Sequence, residues 1–296
     1  MMPPMMTPIR RHGALVLFLL VCAMGPLSSV WTLPDRGNTL SSLDPATEAN
    51  ELREVRHFLE DGLLKYQGLG KVLYPGLYDN EGFAPLFRDA EKWDAEPENA
   101  PYHAEHVYNR QHVVTKDGVY THFPPGPEYL LYAAAKLLGP EPVWRLRLLP
   151  IALGSASMIF LGLAIRRRFN PLPAWAVMSA LAATPSARDL FVGLDSEAYS
   201  LALLMVECGV LLGRRAGFLA CAVLGFLHGW MSFDFAFLTA LSPLAIEAAM
   251  PRIDPSYRAN WRQALTRAVL AGGGFILRIC CISPRSGLIG AVWPAR

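Results

Sequence analysis

Charge is scarce in this chain. Only 18% of its 296 residues are Asp, Glu, Lys or Arg, whereas a soluble domain carries about 25%. The 52% that are hydrophobic are gathered into runs at 13–33 and 147–250. An ordinary soluble domain is thereby excluded, and an integral membrane protein is expected. A surplus of one sign is lacking too. The formal net charge is +2 and no basic face is concentrated anywhere, which argues against a nucleic-acid partner. Cysteine is sparse: the five are Cys22, Cys208, Cys221, Cys280 and Cys281. None falls in the long polar stretch 34–124, so no disulfide framework supports it, and no CxxC pattern occurs. Three of them sit in apolar runs, where a free thiol behaves as a small hydrophobe. Metal-ligand spacing is also missing. His103-Ala-Glu-His106, with His112 and His122 nearby, fits neither HExxH nor a zinc-finger pair. No metal and no cofactor are expected.

What is present is a membrane pattern. A short basic start (Arg10, Arg11, His12) precedes the apolar run 13–33. That layout fits a signal peptide or a first transmembrane helix of about 20 residues. The further spans favour the retained helix. Either way the polar segment 34–124 faces the outside, with Arg10 and Arg11 in the cytoplasm.

Inside that segment, 48–64 has helical spacing, with Leu52, Val55, Phe58 and Leu59 recurring at three- and four-residue intervals. Thr47 is the expected cap and Gly62 the expected stop. Residues 68–99 read as loop, and 113–120 as a small hairpin turning at Lys116-Asp117-Gly118. The apolar stretch 127–138 is too short to cross a bilayer and is expected to lie in the outer interface.

Charge placement sets the remaining topology. Residues 147–165 form a full span that ends on Arg166-Arg167-Arg168. Spans are then expected at 172–184, 198–213, 216–230 and 235–250, with an outer turn at 185–197. The basic clusters 166–168, 214–215 and 252–267 all fall on one side, as the positive-inside rule asks. The expected fold is therefore an all-α polytopic membrane protein, a helix bundle with a large first extracytoplasmic loop. Its divisions are 1–33 (N-terminus and first helix), 34–146 (extracytoplasmic loop with interfacial helices), 147–275 (helix bundle) and 276–296 (atypical tail). The tail has a Cys pair, a Trp-Pro and no clear period. It reads as a truncated gene or a frame change near Gly272-Gly273-Gly274, with a genuine short tail as the alternative.

Chemistry is expected at the acids beyond the first span. Asp44, Glu48 and Glu51 lie close together, and Glu48 and Glu51 share a helix face. An acid partly desolvated at a bilayer becomes a useful general base. The plain alternative is a solvated helix start, where acids suit the dipole.

The order of span, acidic motif, helix, loop, Pro-Pro with an aromatic helix, then a span ending Arg-Arg-Arg-Phe resembles the GT-C superfamily of membrane glycosyltransferases. It is most similar to the branch of bacterial dolichyl-phosphate-mannose-protein mannosyltransferases and aminoarabinose transferases. Leu59-Glu60-Asp61-Gly62 matches that family's helix-ending turn, which places Glu48 on its second acid. Thr47 stands where the family has the first acid, and Asp44 is displaced by three positions. The resemblance implies a base at Glu48, with Asp44 as its substitute. Tyr120 to Leu131 matches the Pro-Pro segment, making His122 and Tyr120 candidates to meet the donor phosphate, with Phe123 in the position that some members give to Lys. Trp144 to Pro150 matches the family's lead into the next span, adding Arg145 and Arg147. Ordinary interfacial anchoring by Trp and Arg is the alternative there.

By resemblance, the chain moves a sugar from a polyprenyl-phosphate donor to an acceptor protein or glycolipid. This happens on the extracytoplasmic face of the bacterial inner (plasma) membrane, where the protein is multi-pass. Full-length members are longer. The competing class is a non-catalytic membrane protein, either a truncated degenerate paralogue or a transporter. Glu207, His228, Asp234 and Glu247 are the ionisable residues within or beside the later spans, and no repeat relates the halves, which disfavours a transporter.

Overall fold

The computed structural model describes residues 8–33, 45–63, 125–213, 217–232 and 235–292. Every regular element among them is a helix. Asp44, Tyr120, His122, Asp234, the expected hairpin and the histidine group at 103–112 lie outside the described residues.

The first helix, α1 (Pro8–Ser28), opens on a proline, which suits the first helical position because its missing N–H has no intrahelical partner there. A short 3₁₀ turn, Ser29–Thr32, follows. Phe18 and Cys22 are buried on one side of α1, while Val16, Leu17, Leu20 and Trp31 are exposed.

Helix α2 (Pro45–Asp61) begins two residues before Thr47, so Thr47 is inside the helix and not its cap. Pro45 sets the start as Pro8 does for α1. Gly62 ends α2 as expected. Its φ of 88° lies in the left-handed region that favours glycine. Its N–H donates to the Phe58 carbonyl at 3.1 Å. Val55 and Phe58 are buried, with Leu52 and Leu59 partly so. The same helix also buries Glu48, Glu51, Glu54 and His57.

Helix α3 (Gly126–Leu138) covers the expected interfacial stretch. Leu131, Ala134 and Ala135 form its buried stripe at helical spacing, and Leu137 is 84% exposed. A Cβ on Gly126 would stand 2.1 Å from the Trp230 carbonyl oxygen, so glycine lets the start of α3 rest on the end of a later helix.

A 3₁₀ turn, Val143–Arg145, leads into α4 (Leu148–Arg168), which carries the arginine triplet in its last turn. Then come α5 (Pro171–Ala183) and α6 (Pro185–Leu190). The expected outer turn thus contains a short helix, because Pro185 at its start favours helix where the polar run Ser186-Ala187-Arg188-Asp189 reads as turn. The rest are α7 (Ser196–Leu212), α8 (Phe218–Met231), α9 (Ala236–Ile253) and α10 (Trp261–Val292). Helix α10 starts well before the expected span at Ala268 and crosses the boundary expected at 275–276. Ala264, Ala268, Ala271 and Phe275 line its buried side.

Among the described residues, two stretches are long and apolar enough to cross a membrane, His12–Trp31 and Val143–Arg168. Pro171–Ala183 and Phe218–Met231 are shorter apolar helices. One core joins α1, α4, α5 and α7 through Phe18, Cys22, Met158, Met178, Phe191 and Met205. A second joins α2, α3 and the starts of α4 and α7 through Val55, Leu131, Leu146, Leu194 and Tyr199. Helices α8 and α10 meet along small residues. A Cβ on Gly225 would lie 1.9 Å from the Ala271 carbonyl oxygen, and one on Gly274 would lie 2.1 Å from that of Ala222. Such stripes let helix backbones touch.

Candidate functional site

The second core carries a polar roof, and α2 supplies most of it. Its first turn places Glu48 against Arg147, the residue just before α4. The Arg147 guanidinium pairs with the Glu48 carboxylate and donates to the Val192 carbonyl at 2.8 Å. Their side chains are 2% and 0% exposed. A single charge in such a place would be expensive, and pairing is what makes it tolerable. Two residues singled out from distant parts of the sequence therefore meet.

Further acids crowd the same face. Glu51 and Glu54 come from α2, Glu128 from the first turn of α3, and Asp195 from the residue before α7, all of them buried. Asp195 also caps α7, accepting from the Ala198 N–H at 3.4 Å, as short acids do at helix starts. Glu197 is half-buried beside it and accepts from the Ser196 hydroxyl at 3.3 Å.

Glu51 bears the consequence of this crowding. Burial pushes its proton affinity well above the ordinary carboxylate range, and the charges of Glu128, Asp195, Glu54 and Glu197 push it further. Like charges in a desolvated site cannot all be ionised together. The Oε2 of Glu51 and the hydroxyl of Tyr199 have no hydrogen-bond partner among the described residues, and both are buried.

Aromatic rings continue this face. Phe58 lies 5.9 Å from Tyr129 and 6.1 Å from Tyr132 between ring centroids. Tyr129 lies 5.9 Å from Trp230, edge to face. Edge-to-face and tilted contacts of this kind hold rings rigidly. Tyr129, Tyr132 and Trp230 are only partly buried, so part of each ring stays open.

Arg145 goes elsewhere. Its Nη1 donates to the carbonyls of Leu138 (3.3 Å) and Glu141 (3.2 Å) at the end of α3, where a cation suits the helix dipole. Its guanidinium also stands 5.9 Å from the Trp144 ring centroid. The side chain remains exposed. Among the described residues no three His, Cys, Asp or Glu are placed to hold a metal ion.

Sequence spacing set Glu51 beside Glu48 without giving it a role, and put Asp195 and Glu197 in an outer charged turn. Glu54, Glu128 and Tyr199 were not singled out as site residues. Glu54 follows Glu51 at three-residue spacing, the one local signal available. Glu128 and Tyr199 join the group only through folding. Neither a family model, nor a curated protein, nor a solved structure matches the chain.

Proposed function

We propose that this chain is a multi-pass membrane glycosyltransferase of GT-C type. It takes a sugar from a polyprenyl-phosphate donor and hands it to an acceptor protein or glycolipid at the extracytoplasmic face of the bacterial inner membrane. What supports the reading is the meeting of Glu48 and Arg147, the carboxylate and the arginine that two separate stretches of the motif resemblance picked out. The acid-rich face around them comes from α2, α3 and the start of α7, all on the side away from Arg166–Arg168. The positive-inside rule assigns that arginine triplet to the cytoplasm.

The roles follow from the contacts. The Glu48 carboxylate is occupied by Arg147, so the pair fixes the site's shape. Glu51, one turn further along α2, is the group suited to general-base work, because burial and the neighbouring acids raise its proton affinity well above the ordinary carboxylate range. It takes the proton from the acceptor hydroxyl. The hydroxyl oxygen then bonds to the sugar's anomeric carbon, the bond from that carbon to the phosphate oxygen breaks, and polyprenyl phosphate leaves with the electron pair. Arg145, exposed at the same end, offers the phosphate its remaining N–H groups. Tyr120 and His122 are further donor candidates, and Asp44 remains the alternative acid. The partly open rings of Tyr129, Tyr132 and Trp230 present flat apolar surface to the sugar.

The test is transfer from a labelled polyprenyl-phosphate sugar in membranes containing the chain. Glu51→Gln is expected to lower transfer by about 100-fold or more, the scale of general-base contributions, with the protein still inserted. Glu48→Gln and Asp44→Asn are measured beside it. Unchanged transfer in all three and in their combination would sink the proposal in favour of a non-catalytic membrane protein.

A further inference from the structure

A second buried polar group lies inside the helical bundle, apart from the acidic face. Glu207 on α7 and His228 on α8 are both fully buried. Glu207 Oε2 stands 3.7 Å from His228 Nδ1 and has no hydrogen bond among the described residues. Its other oxygen, Oε1, accepts from the Ser242 hydroxyl at 2.8 Å. His228 Nε2 faces the Ser200 carbonyl at 3.0 Å. A carbonyl can only accept, so this nitrogen carries a hydrogen. The other ring nitrogen, Nδ1, is 2.6 Å from the Thr239 hydroxyl. Three helices are therefore tied through one carboxyl and one imidazole: α7 by Glu207 and Ser200, α8 by His228, and α9 by Thr239 and Ser242.

Charge counting restricts how this group can exist. With no proton beyond the Nε2 hydrogen the pair is −1, with one it is neutral, and with two it is +1. A net charge inside an apolar bundle is costly, and ionisable residues there occur paired. The other ionisable groups on the surrounding helices do not change the count. Cys208 on α7 and Cys221 on α8 are thiols that feel the Glu207 charge, and Arg267 on α10 acts on Cys221. Glu247 on α9 is held by the Tyr257 hydroxyl at 2.8 Å. Glu128 on α3 belongs to the acidic face, and Arg166 to Arg168 lie at the far end of α4.

We propose that Glu207 and His228 form a one-proton site that locks α7, α8 and α9 together. Glu207 carries the proton on Oε2, beside the ring, while from α9 the Ser242 hydroxyl donates to its Oε1 and the Thr239 hydroxyl donates to His228 Nδ1. Nothing in the glycosyl-transfer reading requires this site, and its test does not depend on transfer.

The experiment is thermal unfolding of the full-length chain in detergent across pH, with Glu207→Gln, His228→Gln and the double variant. In the wild type the pair and its unfolded counterpart hold the same number of protons between about pH 4.3 and 6.5. The wild-type Tm, relative to the double variant, is therefore flat across that window and falls above it. Glu207→Gln is neutral with no extra proton, so its relative Tm falls by about 3 °C or more on the acid side, below about pH 6.5. His228→Gln is neutral with one proton, so its relative Tm falls on the alkaline side, from about pH 4.3 upward. Parallel curves for the three variants overturn the proposal.

Infrared spectroscopy keeps the test alive if a single variant does not fold. The wild type is expected to show a protonated-carboxyl band at neutral pH that shifts when Ser242→Ala removes the donor to Oε1. A spectrum with no band that moves overturns the proposal as well.

Discussion

Arg147, at the start of α4, reaches into the first turn of α2 and pairs with Glu48, and both are closed off from solvent. The contact ties α2 to the start of α4. It also adds a positive charge to a region that holds four further buried acids, Glu51, Glu54, Glu128 and Asp195. The geometry therefore makes the pair the keystone of the acidic face.

Breaking this pair from one side should be damaging. Arg147→Met takes the guanidinium away from the buried Glu48, and Glu48→Met takes the carboxylate away from the buried guanidinium. Each is expected to cost about 3–5 kcal/mol. Replacing both with methionine is expected to cost clearly less than the sum, since neither charge is then stranded. Denaturant unfolding of the four proteins in detergent measures this. Strict additivity would show that the two residues are not coupled.

The second prediction concerns Glu51 and pH. Its folded proton affinity is raised well above the ordinary value of 4.5. The folded chain therefore keeps a proton that the unfolded chain gives up as pH rises past that value. By linkage, stability falls with rising pH over the window from about 4.5 up to the folded value. Glu51→Gln has no proton to lose, so this slope should disappear. Melting curves from acid to neutral pH check it, and an unchanged slope in the variant contradicts it.

A third prediction uses the seam of α8 and α10. Gly225→Ala drives a methyl group into the Ala271 carbonyl, 1.9 Å from an ideal Cβ. Backbone must move, so a loss of about 1–3 kcal/mol or more is expected. Gly273→Ala is the control, because nothing lies within 4 Å of its Cβ position. There alanine should stabilise the helix by up to about 1 kcal/mol. Unfolding of the two variants side by side decides whether the seam is packed as described.

The helices were legible where proline and glycine punctuate them. Gly62 marks the end of α2 and Pro127 the start of α3 because each residue's backbone restriction is local. Thr47 misled because a good capping side chain says nothing of the proline two residues earlier. Helix α10 was missed over 261–267 because Arg262 and Arg267 read as a basic loop. Its buried stripe is built from alanines, whose hydrophobic signal is weak. The pairing of Glu48 with Arg147 was half visible: each residue stood out, but their contact did not. Glu128 and Tyr199 carry no local signal, since their burial is created by α2 folding over α3 and the start of α7. The link from Glu207 to His228 was visible only as two isolated ionisable residues in apolar runs.

The contact of Gly126 with the Trp230 carbonyl acquires weight from what lies on either side of it. His228 sits two residues before Trp230, and Glu128 two residues after Gly126. The final turn of α8 is therefore a hinge pin shared by the proton-holding pair and the acidic face. It also bears the indole against which Tyr129 is set. A displacement of that turn by even a fraction of an ångström would be felt at both clusters, because no side chain separates the two backbones to absorb it.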